Sequence, residues 1–168
     1  VLSFTLGEKN LKQTCIFEYV YFSRPDTVLD GISVQEARFR RGEVLAQENP
    51  VDADVVIGVP DAGLGAAMGF SKASGIPYAM GIVRNNYVGR TVIAPTQQER
   101  ERRVFVKFNA LKSDVKGKRV VLIDDSIISG STSRRLVTLL RNAGAKEVHF
   151  RVSSPPVRYQ CYFGIHTP

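Results

Sequence analysis

The run Val-Val-Leu-Ile-Asp-Asp at residues 120–125 limits the fold more than any other part of the sequence. Four apolar residues in succession, three of them β-branched, are typical of a strand that is covered on both faces. The turn Ser129-Gly130-Ser131-Thr132 follows, and the apolar spacing after it predicts a helix over residues 131–143. The segment is therefore predicted to be a buried strand over 118–124 that leads through two carboxylates into a helix.

The same alternation of short β-rich runs and helical patterns extends along most of the chain. It predicts an α/β fold in which a mostly parallel, twisted sheet is flanked by helices. The chain has 168 residues, the length of one ordinary domain, and we expect residues 1–168 to form a single domain. The predicted strands are 15–22, 54–59, 78–83, 118–124 and 147–152, and the predicted helices are 33–49, 64–74 and 131–143.

Two of these helices have an apolar face that the spacing predicts to point inward. Helix 33–49 can be capped by Ser33, and the segment up to residue 74 is rich in Ala and Gly, which suits close packing against a sheet. The residues predicted to face inward are Val34, Ala37, Val44 and Leu45 in helix 33–49, and Leu136, Val137, Leu140 and Ala143 in helix 131–143.

Composition excludes several classes of protein. Hydrophobic residues make up 43% and charged residues 23%, as in globular domains, and no apolar run approaches the roughly 18–20 residues of a membrane helix. Residues 1–10 lack a secretory signal pattern, so we expect a cytoplasmic protein, and the start at Val1 predicts a fragment of a longer chain. The net charge of +7 favours an anionic partner, but no zinc-finger spacing or aromatic RNA-binding pattern is present, so nucleic acid is not expected.

Residues 84–107 interrupt the alternation and are predicted to form a long, flexible, basic loop. Long loops inside a compact domain are commonly lids, and a basic lid can close over an anion. The basic residues of this segment are Arg84, Arg90, Arg100, Arg102, Arg103 and Lys107.

Asp124 and Asp125 are candidate site residues because ligands of open α/β sheets bind at the carboxyl ends of the strands. The start of helix 131–143 presents backbone N–H groups and a positive dipole end, which favour a phosphate, while paired carboxylates accept hydrogen bonds from vicinal hydroxyls. A sugar phosphate satisfies both groups. The alternative is an ordinary turn in which Asp124 caps the helix and Asp125 is exposed. The candidate phosphate-binding residues are Ser126, Ser129, Gly130, Ser131, Thr132 and Ser133.

This strand, acid pair and small-residue turn resemble the ribose-phosphate fingerprint of the type I phosphoribosyltransferases. The runs at 15–26, 86–91 and 143–149 are in addition similar to the glutamine phosphoribosylpyrophosphate amidotransferases, or amidophosphoribosyltransferases. The resemblance implies a type I phosphoribosyltransferase fold with a flexible loop. It also implies transfer of ammonia to phosphoribosyl pyrophosphate, which gives 5-phosphoribosylamine and pyrophosphate in the first step of purine synthesis.

The resemblance also assigns roles to individual residues. Asp124 and Asp125 would hold the ribose hydroxyls and help bind Mg²⁺, the turn at 129–133 would hold the 5′-phosphate, and the basic residues Arg90 and Lys107 match family positions. Ammonia would come from a glutaminase domain that these 168 residues lack, and the full enzyme would be a homo-oligomer. The family's pyrophosphate loop corresponds to Pro60, Asp61, Ala62 and Gly63.

Cys15 and Cys161 are too sparse for a disulfide-stapled fold, and we expect reduced thiols. Both match ligands of an iron-sulfur cluster in one subgroup of the family. Because two cysteines cannot hold a cluster, the resemblance implies one only in the full-length protein.

Three positions depart from the family pattern, and two other functions stay open. Ala62 stands in place of a Ser, and Asn86 and Ser129 each stand in place of an Arg near the phosphates. One alternative is a salvage phosphoribosyltransferase that uses a nucleobase, with Ile127 and Ile128 beside the ribose. The other is a non-catalytic regulator that binds a phosphoribosyl ligand.

Overall fold

The computed structural model describes residues 13–85, 107–128, 130–159 and 161. Predicted helices 33–49, 64–74 and 131–143 and predicted strands 54–59, 118–124 and 147–152 are all present, with bounds that shift by a few residues at most. In chain order the elements are a π-helical turn (Glu18–Phe22), β1 (Val28–Leu29), β2 (Ile32–Ser33), α1 (Val34–Glu48), β3 (Val55–Gly58), α2 (Gly63–Ser74), β4 (Ile82–Arg84), β5 (Phe108–Ala110), α3 (Lys112–Val115), β6 (Arg119–Asp124), α4 (Ser131–Asn142) and β7 (Glu147–Val152).

A parallel sheet in the order β3-β6-β7 forms the centre of the fold. Val55 pairs with Val120 and Asp124 pairs with Val152, so the carboxyl ends of the three strands meet at one edge. Successive residues of a strand point to opposite faces, and both faces of β3 and β6 are covered. Ile57 and Leu122 pack toward Leu136 and Leu140 of α4, whereas Val56, Val121 and Ile123 pack toward Ala66, Ala67 and Phe70 of α2.

The inner face of α1 differs from the predicted one. Ser33 caps the helix as predicted, since its hydroxyl accepts a hydrogen bond from the backbone N–H of Glu36 at 3.3 Å. Val44, however, is exposed. The reason is that α1 packs against α2 through glycines, so the contact is made by small residues rather than by large apolar ones. The residues of α1 that are buried are Val34, Arg38, Gly42 and Ala46.

The strand predicted over 15–22 is wrong, because Glu18–Phe22 forms one π-helical turn. The turn is closed by the backbone N–H of Ser23, which donates to the carbonyl of Glu18 at 3.1 Å. Val20 is fully buried while Tyr21 and Phe22 are exposed, so the bulky residues do not form a two-sided strand core. High β-propensity reflects packing more than backbone preference, and here the packing against α1 decides the structure.

The strand predicted over 78–83 is divided. Tyr78 makes an isolated parallel bridge to Val56, and β4 begins at Ile82 and pairs antiparallel with β5. Arg84 pairs with Phe108, so the segment predicted as a lid leaves and rejoins the fold through adjacent strands. Residues 86–106 lie outside the described part of the chain, and the lid therefore stays a prediction. Among the described residues, no helix has the length and apolar character needed to cross a membrane.

Candidate functional site

Asp124 and Asp125 lie at the carboxyl end of β6, where the central strand leaves the sheet. Both are buried, and the backbone N–H of Asp125 donates to Oδ1 of Asp124 at 2.9 Å. The hydroxyl of Ser126 donates to Oδ1 of Asp125. The alternative in which Asp125 is exposed is therefore wrong.

Burial raises the pKa of both carboxyls. For Asp124 the pKa rises to about 7, chiefly because burial disfavours the charged form and secondly because Asp125 is negative, while the N–H of Asp125 opposes the rise. For Asp125 burial also raises the pKa, against the hydrogen bond from Ser126 and the positive charges of Arg38 and Arg41. Two adjacent carboxyls with raised pKa values at a strand end are typical of a functional site.

We expect Asp124→Asn to stabilise the protein at pH 8 and to change its stability little at pH 4. The pKa of Asp124 is about 7 in the folded protein, against a usual value of 3.8. Protonated Asp124 therefore adds fully to the free energy of unfolding below pH 4, and this contribution is lost as the pH rises through 7. This shift corresponds to on the order of 4 kcal/mol, a cost at pH 8 that the uncharged amide avoids. Urea unfolding of both proteins at the two pH values measures the difference, and an equal effect at pH 4 and pH 8 contradicts it.

The turn after β6 ends in a glycine that starts α4. Gly130 has φ +72°, a left-handed conformation that side chains disfavour, and it leaves the helix without a side-chain cap. The N–H of Arg134 and the hydroxyl of Ser133 both donate to the carbonyl of Gly130 at 3.1 Å. The first N–H groups of a helix have no partner within the helix and carry its positive dipole end, so this end of α4 can receive a phosphate.

The acid pair and the start of α4 share one cleft of about 250 Å³. Val59, Phe108, Ile127 and Ile128 supply apolar walls, and Tyr21, which is exposed, also lines the cleft. The predicted site residues that line the cleft are Pro60, Lys107, Asp124, Asp125, Ser126, Gly130, Thr132 and Ser133. Ser129 and Arg90 lie outside the described residues.

The predicted pyrophosphate loop enters the cleft through Pro60. The Asp61 carboxylate forms an ion pair with Arg84 at the end of β4, and Ala62 is buried at the start of α2. Gly63 has a packing role, since a Cβ there would lie 2.6 Å from the carbonyl oxygen of Ile123. Asp61, Ala62, Gly63 and Ser131 are thus near the cleft in sequence but are not among its lining residues in the described structure.

The described residues contain no group of three or more His, Cys, Asp or Glu side chains placed to hold a metal ion. Cys15 and Cys161 are both exposed, and their assignment to an iron-sulfur cluster stays a prediction. Asp124 and Asp125 together offer the oxygen ligands that Mg²⁺ prefers, and Mg²⁺ sites often hold one or two carboxylates plus substrate phosphates.

Sequence reasoning missed Arg38 and Arg41. Charged residues inside a helical pattern are normally assigned to the solvent face, so neither was a candidate. Arg38 lies on the same helix face as Val34, Gly42 and Ala46, but this face has too few large apolar residues for the sequence to mark it as buried.

Comparison with known proteins agrees with this geometry. Residues 35–154 match the family described as the phosphoribosyl transferase domain, a range that includes the acid pair, the turn and α4. The chain therefore belongs to the phosphoribosyl transferase domain family, of the glycosyltransferase class, and its predicted type I phosphoribosyltransferase fold is confirmed.

Within that family the chain is similar to amidophosphoribosyltransferases. It is 54% identical to the enzyme of Synechocystis over 99% of this chain and 34% of the relative, and 54% identical to that of Bacillus subtilis over 93% and 33%. A solved structure of the B. subtilis enzyme with ADP and GMP has a TM-score of 0.82 at 56% identity, covering 91% of this chain and 34% of that one. The chain spans about a third of the length of these relatives.

Proposed function

We propose that the cleft binds phosphoribosyl pyrophosphate and transfers its phosphoribosyl group to ammonia, giving 5-phosphoribosylamine and pyrophosphate. The observation that supports this most strongly is the pair of buried carboxylates beside the start of α4 in one cleft. The amidophosphoribosyltransferase relatives favour ammonia as the acceptor. By the same relationship, the proposed reaction belongs to purine biosynthesis. A second similar solved structure, with a TM-score of 0.81, is described as the allosteric regulatory enzyme of purine biosynthesis.

In this proposal each end of the sugar has its own partner. The 5′-phosphate lies at the start of α4 against Gly130, Thr132 and Ser133, and the two ribose hydroxyls donate to Asp124 and Asp125. The pyrophosphate extends toward Pro60 and Lys107, which line the same cleft. Arg90, which the family resemblance assigns to the same anion site, would add a further positive charge, although it lies outside the described residues.

The carboxylates also serve the reaction at ribose C1. The bond from C1 to the pyrophosphate oxygen breaks with its electron pair remaining on pyrophosphate, the ammonia lone pair forms the new C1–N bond, and the nitrogen loses one proton to the solvent. Positive charge develops on the ring in between, and negative charge on the acid pair, which is complete only above the Asp124 pKa of about 7, stabilises it from a buried position.

The donor set at this edge fits Mg²⁺ when substrate is bound. Two adjacent carboxylates would supply some of the oxygen ligands that Mg²⁺ prefers. Mg²⁺ held there would neutralise negative charge on the pyrophosphate. Asp124 and Asp125 are the residues proposed to hold it.

Further parts of the proposal concern the longer enzyme. A glutaminase domain would supply ammonia, the enzyme would be a cytoplasmic homo-oligomer, and residues 84–107 would close over the substrate and exclude water. Free ammonia replaces the glutaminase domain in an assay of the present chain.

Pyrophosphate release from phosphoribosyl pyrophosphate with Mg²⁺ tests the proposal. We expect release that rises with free ammonia and is unaffected by adenine, guanine or hypoxanthine. Release that depends on a nucleobase indicates the salvage function, which the relatives do not favour. Tight binding of the substrate with no release under any condition indicates a non-catalytic ligand-binding domain.

A further inference from the structure

The π-helical turn at Glu18–Phe22 is held against α1 by one buried arginine. Arg38 is 3% exposed. Its Nε donates to the carbonyl of Tyr19 at 2.9 Å, and its Nη2 donates to the carbonyl of Ser23 at 2.8 Å. A buried polar group is costly unless it is hydrogen-bonded, so the side chain and the two carbonyls depend on each other. One guanidinium therefore ties both ends of the turn to α1.

The other contacts of the turn leave its middle exposed. Val20 is fully buried, and the hydroxyl of Ser23 donates to Oε2 of Glu18 at 2.6 Å. Tyr21 lies between these anchors, is 56% exposed and lines the cleft. Its ring packs edge-on against that of Phe22, at 5.7 Å between centroids, and Phe22 is itself exposed. The position of the Tyr21 ring is therefore set by the backbone of the turn more than by packing around the ring.

We propose that Arg38 is a positioning residue for the cleft wall: by holding the carbonyls of Tyr19 and Ser23, it keeps Tyr21 in place before a ligand arrives. The inference rests on the proposed function, since it takes a phosphoribosyl ligand to occupy this cleft. Arg38 is not among the cleft-lining residues, so its effect on a ligand passes through the turn. A wall that is already in place loses less conformational freedom on binding than a mobile one.

The test uses one readout of the turn and one of the ligand. Tyr21→Trp places a single reporter in the turn, because the chain has no tryptophan, and acrylamide quenching of its fluorescence measures how far the turn opens. Calorimetry measures ribose 5-phosphate binding in the Tyr21 and Tyr21→Ala backgrounds, which gives a double-mutant cycle with Arg38.

Three substitutions in α1 are compared with both readouts. Arg38→Met removes both hydrogen bonds at similar side-chain length. Arg38→Lys keeps the positive charge but not the planar fork that reaches two carbonyls. Arg40→Met is the matched control, because Arg40 is an exposed arginine of the same helix that pairs with Glu36. Urea unfolding shows that each variant is folded before it is compared.

We expect Arg38→Met to raise the quenching of the Tyr21→Trp reporter about twofold and to weaken ribose 5-phosphate binding about tenfold. Arg38→Lys should reproduce most of both effects, and Arg40→Met should produce neither. In the Tyr21→Ala background the effect of Arg38→Met on binding should fall below about twofold.

Unchanged quenching, parent-like binding by Arg38→Met or an equal loss of binding in both backgrounds overturns the inference. Full recovery by Arg38→Lys also overturns it, because charge would then suffice without the fork. If Arg38→Met does not fold, Arg38→Lys in the two backgrounds decides by the same criteria. Failure of the parent chain to bind ribose 5-phosphate contradicts the proposed function instead, and the quenching readout still tests the turn.

Discussion

The double variant Asp124→Asn, Asp125→Asn is expected to bind ribose 5-phosphate at least about 30-fold more weakly than the parent chain. A hydrogen bond to a charged group contributes roughly 1.5–3 kcal/mol, so the loss of two such bonds predicts at least about 2 kcal/mol. The amides keep the shape of the carboxylates, and the side-chain oxygen left by Asp124→Asn can still accept the backbone N–H bond that Asp124 accepts from the next residue. Isothermal calorimetry measures the change directly.

A charge-matched control separates this effect from the change in net charge. Asp26→Asn with Asp52→Asn also removes two carboxylates, and both are exposed partners of surface arginines, Arg24 and Arg119. We expect this control to bind ribose 5-phosphate like the parent. Equal weakening in both double variants indicates a general electrostatic effect, and no weakening in either shows that the acid pair does not contact the sugar.

Gly42→Ala is expected to lower the free energy of unfolding by about 3 kcal/mol, the upper part of the usual range for overpacking. Helix propensity alone predicts the opposite sign, since Ala in a helix is favoured over Gly by up to about 1 kcal/mol. The packing clash outweighs the gain in helix propensity, because a Cβ on Gly42 would lie 1.9 Å from the carbonyl oxygen of Ala66. That contact is with the backbone of α2, so α1 and α2 must move apart to relieve it.

Val44→Ala is the matched control for this variant. Val44 lies two residues further along α1 and is exposed, so its truncation should change stability by less than about 1 kcal/mol. Urea unfolding of the three proteins gives the comparison. A stabilised Gly42→Ala protein contradicts the close α1–α2 contact.

The unit formed by β6, the acid pair and α4 could be predicted from sequence, because three separate sequence signals indicate the same structure. The apolar run specifies a strand buried on both faces, its end places the carboxylates at the sheet edge, and the glycine turn starts the helix. The same agreement explains why the bounds of β3 and β7 were predicted closely.

The inner face of α1 and the π-helical turn could not be predicted, because both depend on tertiary contacts. Gly42 is buried because it has no side chain and the backbone of α2 packs directly against it. Arg38 is buried because it donates hydrogen bonds to backbone carbonyls that are distant in sequence. Neither residue is apolar, so the hydrophobic pattern of the sequence does not mark it as buried. The bulky residues at 15–22 have strand-like composition, but contact with α1 makes the turn the favoured structure.

A crystal structure of the chain with ribose 5-phosphate tests the central claim most directly. We expect the phosphate at the start of α4, within hydrogen-bond distance of backbone N–H groups of residues 130–133. We also expect two ribose hydroxyls on the carboxylates of Asp124 and Asp125. Ribose 5-phosphate bound elsewhere, or bound in the cleft with its hydroxyls away from both carboxylates, would contradict the assignment of this site.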